Sequence, residues 1–294
     1  MDERLMQAHL RPMQPLPTGL KPSGRISGIL KAVLFDVYGT LLISDSGDIG
    51  VSEAREIPAT VLGELLERFR VSISPVRLAE NLRRAVERRH SELRTRGIDY
   101  PEVEIDRIWE DVLGLPGGDR IRRFALEYEL IVNPVYPMPH LEVLLETCRR
   151  RSLIAGMVSN AQFYTLEILE WFLGADLSKL GFHEDLLIFS YRQGCAKPSP
   201  ELFETAAGRL AGMGIEPSAV LYVGNDMLKD IHPARSVGFQ TALFAGDRRS
   251  LRLRREDPRC RPLTPDLVVT DLMQLAGHLS GCCKPSGFPS APTL

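Results

Sequence analysis

Residues 31–42, KAVLFDVYGTLL, decide how the rest of the chain is read. Ala32, Val33, Leu34 and Phe35 are four consecutive apolar residues, the mark of a buried strand. The run stops at a carboxylate, Asp36, ahead of a turn signal at Gly39 and Thr40. An acid at the end of a buried strand is costly unless something requires it there. In open α/β sheets ligands bind where parallel strands end, so a carboxylate at that point is held rigidly yet reached by a substrate. Alone, the stretch is equally compatible with an Asp that accepts backbone hydrogen bonds in the next turn.

Working outward, residues 43–51 form a polar, glycine-bearing connection, after which the periodicity becomes helical. Ile57, Val61, Leu62, Leu65, Leu66 and Phe69 recur every three or four residues and make one apolar helical face. Pro75 opens a second helix with Leu78, Leu82 and Val86 inward and a run of arginines outward, paired in sequence with Glu80, Glu87 and Glu92. Two further helical patterns, 105–113 and 121–130, complete an all-helical insertion over 51–133, with Trp109 in its core. Beyond it, helices (140–151, 163–173, 201–210 and from Leu272) alternate with apolar runs at 153–158, 185–190, 219–223, 241–245 and 267–269. Such alternation predicts an α/β fold, a Rossmann-like parallel sheet covered by helices on both faces, built from residues 30–50 and 134–280.

The 36 Lys and Arg against 38 Asp and Glu give a net charge of -2, which argues against nucleic-acid binding through bulk charge. No apolar segment is long enough for a membrane span or a signal peptide. Residues 1–29, with Pro12, Pro15, Pro17 and Pro22, read as a loose tail, and 281–294, rich in Gly, Pro and Ser, as another. Five cysteines at irregular spacings, Cys282 and Cys283 among them, suit a reducing cytoplasm.

Functional groups follow several strands. Asp36 ends the first; Ser159 and Asn160 end another; Lys197 lies in a later loop; and Asn225, Asp226 and Asp230 follow residues 219–223. In a parallel sheet these groups share one edge. Carboxylates, a lysine and a hydroxyl in one cleft suit transfer of a charged group from oxygen to a carboxylate.

The motifs DVYGT (36–40), VSN (158–160), KPSPELF (197–203) and VGNDMLKD (223–230), in this order, resemble those of the haloacid dehalogenase superfamily. The resemblance covers about residues 31–279 and implies that the helical insertion is a cap over the active site. It further implies that Asp36 is a nucleophile and that Lys197 balances the negative charge of nucleophile and substrate. Ser159, with the backbone near Asn160 or Thr40, would hold the transferred group. Mg²⁺ would be bound by Asp36, the carbonyl of Tyr38, Asp230 and either Asn225 or Asp226. Asp226 is the preferred choice, because a carboxylate suits a hard dication better than an amide. The substrate would be a small anionic molecule.

One departure from the family pattern divides the functional readings. Most phosphatases of the family carry, two residues after the nucleophile, a second Asp that protonates the leaving oxygen; here Tyr38 stands there. Tyr is what the metal-independent 2-haloacid dehalogenase branch shows, and halide leaves without a proton. Against that branch, Asp226 adds an acid that a carboxylate substrate would oppose, and Arg55 is the first arginine after Thr40 available to a substrate carboxylate. The expectation is therefore a Mg²⁺-dependent phosphatase. A 2-haloacid dehalogenase is the first alternative, and a non-catalytic binding protein on the same scaffold the second. Arg248, Arg249, Arg252, Arg254 and Arg255 form a basic loop expected at the same sheet edge, where they would draw in an anion.

Overall fold

A computed structural model of the chain describes residues 3–9, 11–46 and 57–281. Helix α1 (Glu3–His9) and a two-residue strand β1 (Ser23–Gly24) precede β2 (Ala32–Phe35), the expected buried strand. The chain then enters β3 (Leu42–Ser44), passes through α2 (Ala59–Arg68), α3 (Pro75–Thr95), α4 (Ile105–Leu113) and α5 (Asp119–Val132), and returns on β4 (Val135–Pro137). There follow α6 (Leu141–Arg150), β5 (Ile154–Ser159), α7 (Tyr164–Leu173), β6 (Phe182–Phe189), α8 (Ser190–Gln193) and α9 (Glu201–Gly212). The last elements are β7 (Val220–Gly224), a π-turn (Met227–Ile231), α10 (His232–Ser236), β8 (Gln240–Phe244), β9 (Leu267–Val269) and α11 (Leu272–Ser280).

Seven strands form one sheet in the order β1-β9-β8-β7-β2-β5-β6, parallel throughout except for β1 against β9. Alternation along β2 sorts its side chains between two cores. Val33 and Phe35 pack with Leu144 of α6 and Leu275 of α11; Ala32 and Leu34 pack with Leu202 and Ala206 of α9. Both faces are covered, which is why β2 and β7 are apolar without interruption. Asp36 continues directly from β2, its N–H bonded to the carbonyl of Val223 on β7, so both strands deliver their ends to the same rim.

The helical insertion leaves and returns on an antiparallel ribbon, Leu42 opposite Pro137 and Ser44 opposite Val135. Residues 43–51 were expected as a connection; their first two belong to β3, and 47–51 lie outside the described residues. Within the insertion Trp109 stacks edge-on against Phe124 and Tyr128, at 4.9 and 4.7 Å. Helix α3 starts where Ser74 accepts a bond from the N–H of Arg77 and Pro75 takes the first turn. Its arginines pair with Glu87 and Glu92 on the exposed side.

A strap joins insertion to core. Pro101 bridges Cys195, the Ala196 N–H donates to the Tyr100 carbonyl at 2.7 Å, and Gln162 bonds both Val103 and Ile105. The N-terminal residues, expected as a loose tail, are also tied down. Met6 is fully buried, the Leu16 N–H donates to Asp247, Thr18 donates to the Ala245 carbonyl, and β1 extends the sheet. Apolar residues at 5 and 6 and the pairing of β1 outweigh the four prolines. The expected tail after Gly281, with Cys282 and Cys283, lies outside the described residues, as does Arg55. No described helix is long and apolar enough to cross a membrane.

Candidate active site

The site is assembled at the ends of β2, β5 and β7 and in the loop after α8. Asp36 is asymmetrically held. Its Oδ1 accepts from Ser159 Oγ at 2.8 Å and from Lys197 Nζ at 2.6 Å, while among the described residues Oδ2 accepts no hydrogen bond. About a tenth of the side chain stays open to solvent. One oxygen is fixed and the other is presented, which suits a nucleophile.

Lys197 is buried and shares its charge between Asp36 and Asp230 Oδ1, each 2.6 Å away. It also points at the Val158 carbonyl and Tyr222 Oη, at 3.3 and 3.2 Å. Burial works against the ammonium, but the two carboxylates outweigh it and raise its pKa above the ordinary lysine value. Asp230 in turn accepts from the N–H groups of Asn225 and Asp226 through Oδ2, both at 2.9 Å. It is therefore the anchor of the lysine and of the β7 turn. Tyr222, inside the apolar run 219–223 and not singled out in the sequence, is a member of this network, donating to the Val158 carbonyl and to Asp230. A tyrosine hydroxyl in a fully buried strand needs a partner, and that need was the available signal.

Asn160 sits where expected, but its side chain clasps the main chain of Lys197. Oδ1 accepts the Lys197 N–H at 2.7 Å and Nδ2 donates to its carbonyl at 3.2 Å. Any hold on substrate at Asn160 falls to its main chain. Thr40, the other expected main-chain donor, gives its N–H to the Val37 carbonyl. The Tyr38 phenol is buried and bonded to Thr165 Oγ1 at 2.9 Å. Burial first, then Glu129 of α5, raise its pKa well above the ordinary phenol value. A phenol so placed does not release a proton at neutral pH.

The acidic motif sets Asn225 and Asp226 in different surroundings. Asn225, not Asp226, faces the nucleophile loop, its Nδ2 donating to the Tyr38 carbonyl at 2.7 Å and lying 3.4 Å from Thr40 Oγ1. Asp226 caps the π-turn through the N–H groups of Leu228 and Lys229 and is gripped by Arg254, Nη2 to Oδ2 at 2.7 Å. Arg254 thus neutralises an acid instead of waiting for substrate, and Arg249 pairs with buried Asp247. The basic loop runs beside the motif, with Arg252 N bonded to the Asn225 carbonyl and Met227 N to the Arg252 carbonyl. Gly39 is essential to this closeness. Its φ of +80° is left-handed, and a Cβ there would lie 2.3 Å from Asn225 Nδ2 and from Ser250 Cβ.

For Mg²⁺ the oxygens at this rim would be Asp36 Oδ2 and the Tyr38 carbonyl, joined by the Asn225 amide oxygen once that amide turns, since its NH₂ end now faces the Tyr38 carbonyl. Asp230 and Asp226 are committed elsewhere, and no three His, Cys, Asp or Glu side chains group to hold a metal among the described residues. With the Asn225 amide turned, these residues would hold the ion through one carboxylate and neutral oxygens.

A family model described as haloacid dehalogenase-like hydrolase matches residues 30–238. The phosphoserine phosphatase of Thermus thermophilus is 32% identical over 174 residues, 58% of this chain and 63% of that protein, so the chain spans less than two thirds of that relative. The N-acetylmuramic acid 6-phosphate phosphatase of Pseudomonas aeruginosa is 28% identical over 220 residues, covering 72% of this chain and 80% of that one. In fold, the chain is similar to the 2-haloacid dehalogenase of Pseudomonas syringae, with a TM-score of 0.50, 19% identity, and coverage of 87% of this chain and all of that one.

Proposed function

Because the chain belongs to the haloacid dehalogenase-like hydrolases, we propose that it is a Mg²⁺-dependent phosphatase acting on small phosphate monoesters through an aspartyl-phosphate on Asp36. The observation that carries this is the asymmetric hold on Asp36, whose Oδ2 is open while Oδ1 is locked by Ser159 and Lys197. Oδ2 attacks phosphorus as the P–O bond to the leaving group breaks, the departing oxygen taking its proton from solvent; water then attacks the acyl phosphate, regenerating the Asp36 carboxylate and releasing inorganic phosphate. Lys197 balances the negative charge gathered at the nucleophile, and Ser159 keeps the carboxylate oriented. Mg²⁺ held by Asp36, Tyr38 and Asn225 would offset the charge of the phosphoryl oxygens. The phosphatase names among the relatives support a small phosphorylated substrate.

A metal-independent 2-haloacid dehalogenase is the second reading, favoured by Tyr38, whose committed hydroxyl offers no proton to a leaving alkoxide. Aryl phosphate hydrolysis and chloride release from 2-chloropropionate, each measured with and without EDTA, separate the two. Phosphate release that EDTA abolishes, and that falls by about 10³-fold or more in Asp36→Asn, is expected. Chloride release unaffected by EDTA would overturn the phosphatase reading.

A further inference from the structure

The strap between α3 and α4 carries a carboxylate that the chemistry above does not use. Glu102 is partly buried, and burial raises its pKa above the ordinary value, eased by the Val103 N–H, the Ser190 hydroxyl and the Lys229 charge. An acid drawn out of water in this way needs a reason to be there. Both of its oxygens are occupied: Oε1 accepts from the Val103 N–H at 2.9 Å and Oε2 from Ser190 Oγ at 2.8 Å.

Ser190 is fully buried at the start of α8, and its oxygen accepts the Ala161 N–H at 3.0 Å. A hydroxyl has one proton to give. Here it can go to Glu102 or to the Ala161 carbonyl at 3.3 Å, and the shorter bond to a carboxylate is the stronger. Glu102 thus fixes the hydroxyl whose oxygen holds Ala161. Just before Ala161, Ser159 Oγ donates to Asp36, and the Asn160 side chain clasps the main chain of Lys197. Between those anchors lies the main chain of Asn160, the place left there to hold the transferred group. The strap also grips the other loop that reaches Asp36. The Glu102 N–H donates to the Gly194 carbonyl at 3.1 Å, and the Ala196 N–H, next to Lys197, to the Tyr100 carbonyl. We propose that Glu102 is a positioning residue for the transferred group, setting the main chain after Ser159 through Ser190 and Ala161. The loop that closes on that group is then completed by a residue of the helical insertion. This inference rests on the phosphatase reading above.

The test is hydrolysis of an aryl phosphate with Mg²⁺ by the full chain as wild type, Glu102→Ala, Ser190→Ala and the double variant. Inhibition by orthovanadate, which mimics five-coordinate phosphorus, and the melting temperature are read for each. Each single variant is expected to lose about tenfold or more in kcat with KM within about threefold, and to bind orthovanadate more weakly by a like factor. A slightly misplaced main chain costs the transition state more than the ground state. The double variant should be no slower than the slower single one, because both residues act on Ala161 in series. Wild-type kcat in Glu102→Ala or in Ser190→Ala would overturn the proposal, as would losses that multiply in the double variant. So would kcat losses that only track the fraction of folded protein, which would mark both residues as holding the fold alone. Those results leave the phosphatase reading standing. A wild type that releases no phosphate would remove that reading and this inference together.

Discussion

At the scale of single residues, two substitutions set this centre apart from a two-aspartate phosphatase: Asn at 225 and Tyr at 38. An amide at 225 satisfies the Tyr38 carbonyl without a cation, whereas a carboxylate there would meet that carbonyl with no proton between them. Asn225→Asp should therefore bind Mg²⁺ about tenfold or more tightly and melt lower without metal, both read by titration and thermal scans. Tyr38 leaves the departing oxygen without an acid, so turnover should fall steeply as the leaving group becomes more basic. A series of aryl phosphates of graded phenol pKa, followed to simple alkyl phosphates, measures this; equal rates across the series would indicate an acid elsewhere. That Asp36, Ser159 and Lys197 come together was legible in the sequence, because the first two end apolar runs, Lys197 lies in the loop region beyond a third, and strand ends of a parallel sheet must meet. Asn225 and Asp226 were not distinguishable that way. Which of two neighbours faces inward depends on a π-turn capped by Asp226 and on Arg254, 28 positions away, and no local pattern encodes that pairing.

At the scale of elements, strands and long helices followed from periodicity, but the β3–β4 ribbon did not. Three-residue strands are too short to show alternation, and their partners are separated by the whole helical insertion. The strap over residues 100–105 was invisible for the same reason, since its bonds are mostly main-chain and across elements. Helix α5 brings Glu129 to the junction of insertion and core, where it accepts from Asn133 Nδ2 at 3.0 Å and Tyr164 Oη at 2.9 Å. Burial raises its pKa above the ordinary value of 4.5, partly offset by those two bonds. An acid whose folded pKa is raised favours the fold below its unfolded pKa, and that contribution is lost as pH rises through the folded value. Wild type should thus lose stability from about pH 5 upward more than Glu129→Gln does. Melting temperatures of the two proteins between pH 5 and 8 check it, and parallel curves would contradict it.

At the scale of the whole molecule, the N-terminal residues matter more than their composition suggests. Leu5 and Met6 are buried in the same core as Phe124 and Leu126 of α5, and His9 Nε2 lies 3.3 Å from Glu127. A few residues later the chain is fastened to the sheet at Leu16 and Thr18, and Gln14 receives Arg249. Deleting residues 1–22 should lower the melting temperature by roughly 5–10 °C through lost apolar burial and sheet-edge bonds, as calorimetry would read. The described N-terminal residues thereby fasten to both parts, Leu5, Met6 and His9 to α5 and Leu16 and Thr18 to the loop after β8. With those ties added to the β3–β4 ribbon, the helical insertion and the sheet should melt as one cooperative unit and not in two stages.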